Sequence, residues 1–96
     1  MTEYRLTPAA RRDLTSTWDF TQERWDAHQA ELYILEIRAA IERVATDPER
    51  GRDCGEVRTG YRRYAIGSHL IFYIPRGDSI DVVRVLHQRM DPTRHL

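Results

Sequence analysis

From Ala30 to Val44, apolar residues recur at Ala30, Ile34, Ile37, Ile41 and Val44, in alternating steps of four and three. That is the spacing of one helix face laid against a core. The helix is expected to run from about Ala27 to Ala45 and to stop at Asp47-Pro48, because a residue before proline avoids the α region. Such a helix needs an apolar surface to cover, and the second half of the chain supplies one. Tyr61 to Ile66 and His69 to Ile74 read as strands joined at Gly67-Ser68, a two-residue hairpin with glycine where a type II′ turn requires it. Pro75 to Asp78 is a second turn, and Ser79 to His87 is a last strand whose Val82-to-Leu86 run suits a central position.

The first half completes the pattern. Glu3 to Leu6 reads as a short strand, followed by a helix start with Thr7 as N-cap and Pro8 at the first helical position. Ala10, Leu14, Trp18 and Trp25 fall near one face of a helix running to about Arg24, and both tryptophans are expected to pack in the core and helical hairpin. Glu49 to Gly60 reads as a loop. The expected class is α+β in the order β-α-α-β-β-β, a helical hairpin packed on an antiparallel sheet, with residues 1–96 as one domain. A chain of 96 residues can bury one modest core without metal or disulfides.

Composition narrows the setting. With 41% hydrophobic and 31% charged residues the chain belongs with folded rather than disordered proteins. No apolar run approaches the roughly 18 residues that cross a bilayer. The polar start and the lone Cys54, which cannot form an internal disulfide, lead us to expect a cytoplasmic protein that does not engage membranes. The formal net charge is zero, but residues 1–49 carry 6 Arg against 10 acids and residues 50–96 carry 9 Arg against 5. An acidic half and a basic half suit an acidic partner at the basic end. All 15 basic residues are arginine, which excludes any mechanism that needs lysine.

The strands are apolar on both faces, although a two-layer domain needs only one such face. Leu70, Phe72 and Ile74 alternate with Ile71 and Tyr73; Ile80, Val82 and Leu86 alternate with Val83 and Val85. The second face is covered either by loops or by a partner. Histidines 28, 69, 87 and 95 and Cys54 show no metal-ligand spacing, so neither a metal nor another cofactor is expected. His87 invites a catalytic role, with His69 and Tyr73 as neighbours across the sheet and Arg63, Arg84 or Arg89 to hold a phosphate. No nucleophile accompanies them, and a structural role at the sheet rim is the simpler reading. Tyr61-Arg62-Arg63-Tyr64 is a basic aromatic segment, yet zero net charge and interspersed acids argue against direct nucleic-acid binding.

Several of these segments resemble one family throughout their length. Tyr4-Arg5-Leu6-Thr7-Pro8-Ala9-Ala10 with Asp13-Leu14, then Trp25 with Gln29-Ala30 and Tyr33, then Pro48 with Gly51-Arg52, are similar to ParE-type toxins of the RelE/ParE superfamily, also called plasmid stabilisation toxins. His69 to Tyr73 and Arg84-Val85-Leu86-His87-Gln88-Arg89-Met90-Asp91 resemble that family's closing signature. The resemblance implies a toxin without catalysis of its own that inhibits DNA gyrase when free and is neutralised in a hetero-oligomer with a ParD-type antitoxin. Arg84, His87, Arg89, Met90 and His95 are then expected to face the target. Trp18, Tyr33, Ile71, Tyr73, Val83 and Val85 are expected to face the antitoxin. The superfamily's other branch, the RelE-type ribosome-dependent mRNA endonucleases, is the alternative, with Arg63, His87 and Arg89 as its catalytic set. Leu70 stands where that branch carries an arginine, and its lysines have no counterpart here.

Overall fold

The computed structural model describes residues 3–96. In chain order it has β1 (Glu3–Leu6), α1 (Pro8–Arg24), α2 (Ala27–Thr46), a 3-10 turn (Pro48–Arg50), β2 (Arg52–Asp53), β3 (Arg62–Ile66), β4 (His69–Arg76), β5 (Ser79–His87) and α3 (Pro92–His95). The strands form one sheet in the order β1-β5-β4-β3-β2, with the α1–α2 hairpin on one face.

Short polar side chains fix where each helix begins. The Thr7 hydroxyl accepts the Ala10 N–H at 3.0 Å and donates to the Val83 carbonyl at 2.7 Å, so the N-cap of α1 also fastens it to β5. The Asp26 carboxylate accepts the Gln29 N–H at 2.7 Å and starts α2. The α2 stripe packs as its spacing requires: Ala30, Ile37, Ile41 and Val44 are buried, with Ala40 and Ala45 beside them.

β1 departs from an antiparallel sheet by joining β5 in parallel, Glu3 opposite Ser79 through Leu6 opposite Val82. Every other element except α3 lies between those two strands in the chain, a connection long enough for parallel neighbours. β4 runs two residues past its expected end, through Pro75 to Arg76. β3 stops pairing at Tyr73, so the proline takes no bond from that ladder. Gly67 has φ +56°, and no other type of residue among those described has positive φ, which fits a type II′ turn there.

A bulge changes the face assignment read from strict alternation. Phe72 pairs with Arg84 and Tyr73 with Val82, leaving Val83 as an extra residue on β5. Side-chain parity flips at that point. Ile80, Val82 and Val85 therefore join Ile71 and Tyr73 under the helices, while Leu86 turns to the opposite face with Phe72. That opposite face is covered by the chain itself, by Cys54, Val57 and Tyr61 of the 54–61 loop and by Leu96. One buried polar group ties the loop entry down: the Tyr73 hydroxyl donates to the Pro48 carbonyl at 2.6 Å and accepts the Gly51 N–H at 3.0 Å. A side chain at Gly51 would collide with that hydroxyl, so the close approach admits only glycine.

Candidate functional site

The helix face of α1 that buries Ala10 and Thr17 continues to Phe20, which reaches the end of the sheet where β4 begins and β5 stops. Phe20 is 57% exposed, and Trp25 in the hairpin turn is 73% exposed. Trp25 was expected to pack inside, but α1 ends at Arg24 and Trp25 leaves helical geometry, so the stripe no longer carries it to the core. Two adjoining clefts open at this tip. One, about 320 Å³, is lined by Phe20, Thr21, Trp25, Gln29, Tyr33, Ser68, His69 and His87. The other, about 480 Å³, shares Phe20, His69 and His87 and extends past Thr17 to Arg89 and Met90. Arg24 lies over the Phe20 ring at 5.3 Å.

The floor is a hydrogen-bonded network that joins both helices to the sheet. The Tyr33 hydroxyl accepts the Ser68 N–H at 3.0 Å and stands 2.6 Å from His69 Nδ1. The same hydroxyl faces the Ile66 carbonyl at 3.4 Å, and on the other side of the ring His69 Nε2 stands 3.3 Å from the Thr17 hydroxyl. His87 packs edge-on against His69, centroids 5.4 Å apart, and its Nδ1 accepts the Arg89 N–H at 3.1 Å. In the neutral ring Nε2–H of His87 is then the free donor. Burial, reinforced by His87, lowers the pKa of His69 against the smaller raising effect of Asp13; burial raises that of Tyr33.

His69 thus gains a proton more readily in the unfolded chain than in the fold. Its contribution to stability is complete above the unfolded value of about 6.5 and is lost progressively as pH falls from there through the lower folded-state value. The melting temperature is expected to fall between pH 7.5 and 5.5, and His69→Gln is expected to flatten that part of the profile. An equally steep fall in the variant would exclude His69 as its source.

The structure sorts the expected site residues. His87, Arg89 and Met90 stand together at the tip. Arg84 does not join them: its Nε and one terminal nitrogen hold Asp13 at 2.7 and 2.8 Å, and the other donates to the His95 carbonyl at 3.1 Å. Asp13 also accepts the Val85 N–H at 2.9 Å. Arg84 is therefore a structural clamp between α1, β5 and α3, and His95 serves it through its backbone. Of the residues expected to face an antitoxin, Ile71 and Tyr73 are core side chains that offer no surface, and Val85, also in the core, meets only the floor of the second cleft, because the bulge and the helices enclose them. Val83 is half-buried at the bulge. Trp18 lines a shallow apolar groove of the helical hairpin with Leu14 and Ile34. Tyr33 belongs to the tip network.

The alternative catalytic set is divided by the sheet. Arg63 pairs with Phe72, on the face away from the helices, whereas His87 and Arg89 line the cleft beside α1. Among the described residues, no three His, Cys, Asp or Glu side chains gather as a ligand set. Sequence reading missed Phe20 as a surface residue and Asp13 as the partner of Arg84. A signal for Phe20 existed, since it lies three residues beyond Thr17 on the packing face; the Asp13 pairing spans 71 residues and left none.

Comparisons with known proteins agree with this fold. The family model described as the ParE toxin of the type II toxin–antitoxin system, parDE, matches residues 4–92. Toxin ParE1 of Mycobacterium tuberculosis (strain ATCC 25618 / H37Rv) is 52% identical over 94 residues, covering 97% of this chain and 96% of that protein. Toxin ParE1 of Caulobacter vibrioides is 42% identical over 96 residues, 100% of this chain and 99% of that protein. A solved structure described as the chromosomal ParDE TA system from P. aeruginosa superposes with TM-score 0.78 at 16% identity, covering 91% of this chain and 96% of that one, a likeness of fold. With its fold, its full-length relatives and the family match in agreement, the chain belongs to the ParE toxin family and is the toxin component of a type II toxin–antitoxin system.

Proposed function

We propose that the free toxin binds DNA gyrase through the tip formed by Phe20, Trp25, His87, Arg89 and Met90, performs no catalytic step of its own, and is silenced when a ParD-type antitoxin covers the helical hairpin. The observation that carries this reading is the exposure of Phe20, Trp25 and Met90 around two clefts, with Arg24 and Arg89 beside them. Exposed aromatic and arginine side chains around a cleft are the usual anchors of a protein interface. An endonuclease would need converging cations and an acid–base pair instead. Arg63 lies across the sheet, Arg84 and Asp13 are bound to each other, and both His69 nitrogens are engaged.

For the antitoxin, the groove at Leu14, Trp18 and Ile34 and the exposed Leu32 and Leu35 of α2 suit the apolar side of a segment that folds on binding. Among the described residues no helix is long and apolar enough to cross a membrane. Gyrase as target places the toxin in the cytoplasm.

A photo-crosslinker at position 90 is expected to capture a gyrase subunit, and one at position 35 the antitoxin. Trp25→Ala is expected to weaken inhibition of supercoiling by roughly thirtyfold, the size of one interface hot spot, with the melting temperature unchanged. Capture of ribosomal components from position 90 would overturn the reading.

A further inference from the structure

One cluster of cations plays no part in the tip or the hairpin groove. Arg52 of β2 lies directly opposite Arg63 of β3, and Arg58 stands over the Tyr61 ring at 5.9 Å in the loop that covers the same sheet face. Like charges directly opposite each other across a strand pair are destabilising. Among the described residues no carboxylate comes within ion-pair distance of any of the three, and Arg63 lies close enough to the Cys54 thiol to pull its pKa down against the larger effect of burial. Asp53 is turned to its own loop, accepting the Gly55 N–H at 2.7 Å. Arg62, their neighbour, is satisfied by the Gly51 and Glu49 carbonyls. Charge placed only to protect a sheet edge would sit on the edge strand, yet Arg63 is half-buried on the strand inside it.

We propose that Arg52, Arg58 and Arg63 form a second docking site, which takes an extended acidic segment of the cognate antitoxin. This rests on the antitoxin partnership proposed above. Among the described residues β2 ends the sheet with no strand on its outer side, so a polypeptide can lie along it. Side chains of an extended segment alternate, so its carboxylates can meet the arginines without crowding Glu49, Asp53 and Glu56. A nucleic-acid backbone carries charge at every step and would meet those acids. A segment held here, tethered to one on the hairpin groove, binds with raised effective concentration at both sites.

The test compares the wild-type chain with Arg52→Gln/Arg63→Gln, titrated with the purified antitoxin encoded beside it, across a range of salt. Antitoxin affinity is expected to weaken about tenfold and its salt dependence to flatten. The melting temperature of the free variant is expected to hold or rise, since the facing charges are gone; a purely structural role would lower it. A variant that binds as tightly as wild type, with the same salt dependence, overturns the proposal while leaving the antitoxin partnership standing. Retained antitoxin affinity with loss of binding to a short DNA duplex overturns it in favour of nucleic acid. A wild-type chain that does not bind the antitoxin at all removes the parent reading together with this one.

Discussion

Leu86→Asp is expected to leave this chain unfolded. Leu86 is 1% exposed and packs with Phe72, Cys54, Leu70 and Leu96 on the sheet face away from the helices. Losing its burial costs about 2 to 3 kcal/mol. Placing a carboxylate there without a partner adds several kcal/mol more, or forces the group to take up a proton. A domain of 96 residues has about 5 to 14 kcal/mol in total, so the change removes most of the margin. Circular dichroism should show loss of the cooperative melt. Leu35→Asp, at a position 51% exposed, should change the melting temperature by no more than a few degrees. A soluble Leu86→Asp variant that melts like the wild type would mean that this strand is wrongly placed.

Asp13→Ala should have the next largest effect. One carboxylate accepts three bonds, two from the Arg84 guanidinium and one from the Val85 N–H, and its side chain is only 13% exposed. Its removal strands a half-buried guanidinium and a backbone donor. Breaking such a pair from one side costs about 3 kcal/mol, the low end for buried pairs, because water still reaches the arginine. For a domain of this size that is roughly 12 to 24 °C in melting temperature. Adding Arg84→Ala to Asp13→Ala should cost little further, so the double-mutant cycle should show strong coupling. Additive losses would mean that the two residues act independently. Because Arg84 also holds the His95 carbonyl, the variant should loosen the tail as well. Deleting the tail is for the same reason a poor probe of target binding: it removes Leu96 from the second core cluster.

The elements legible in the sequence were those written in local chemistry. The α2 stripe, the Thr7-Pro8 helix start, the Gly67 turn and the bounds of β5 all depend on residues within a few positions of each other. What depended on distant partners was not legible. The bulge at Val83 depends on how β5 meets β4, and it moved Val85 into the helix-facing core while turning Leu86 away. The parallel seating of β1 depends on a strand more than seventy residues on. Arg84 read as a free cation because its anion lies at the far end of the chain. At the candidate site, His87, Arg89 and Met90 are neighbours in the chain that remain neighbours in space. The exposure of Phe20 and Trp25 was not expected, because it depends on where the helix and the sheet stop.

The clamp and the tip network together hold the elements that carry the tip. Asp13–Arg84 fixes α1 on β5, and Tyr33–His69–Thr17 fixes both helices on the start of β4. Phe20, Trp25 and Met90 stand exposed beside these fixed elements, available as the anchors of the proposed interface. That supports action by contact in place of chemistry, the central claim. Its most direct test places the purified toxin in two assays: supercoiling by gyrase, and translation on ribosomes with mRNA mapped for breaks. Inhibition of supercoiling, relieved by the antitoxin and accompanied by intact mRNA, is the expected result. Cleavage of mRNA at codons in the ribosomal A site, abolished by His87→Ala, would contradict it.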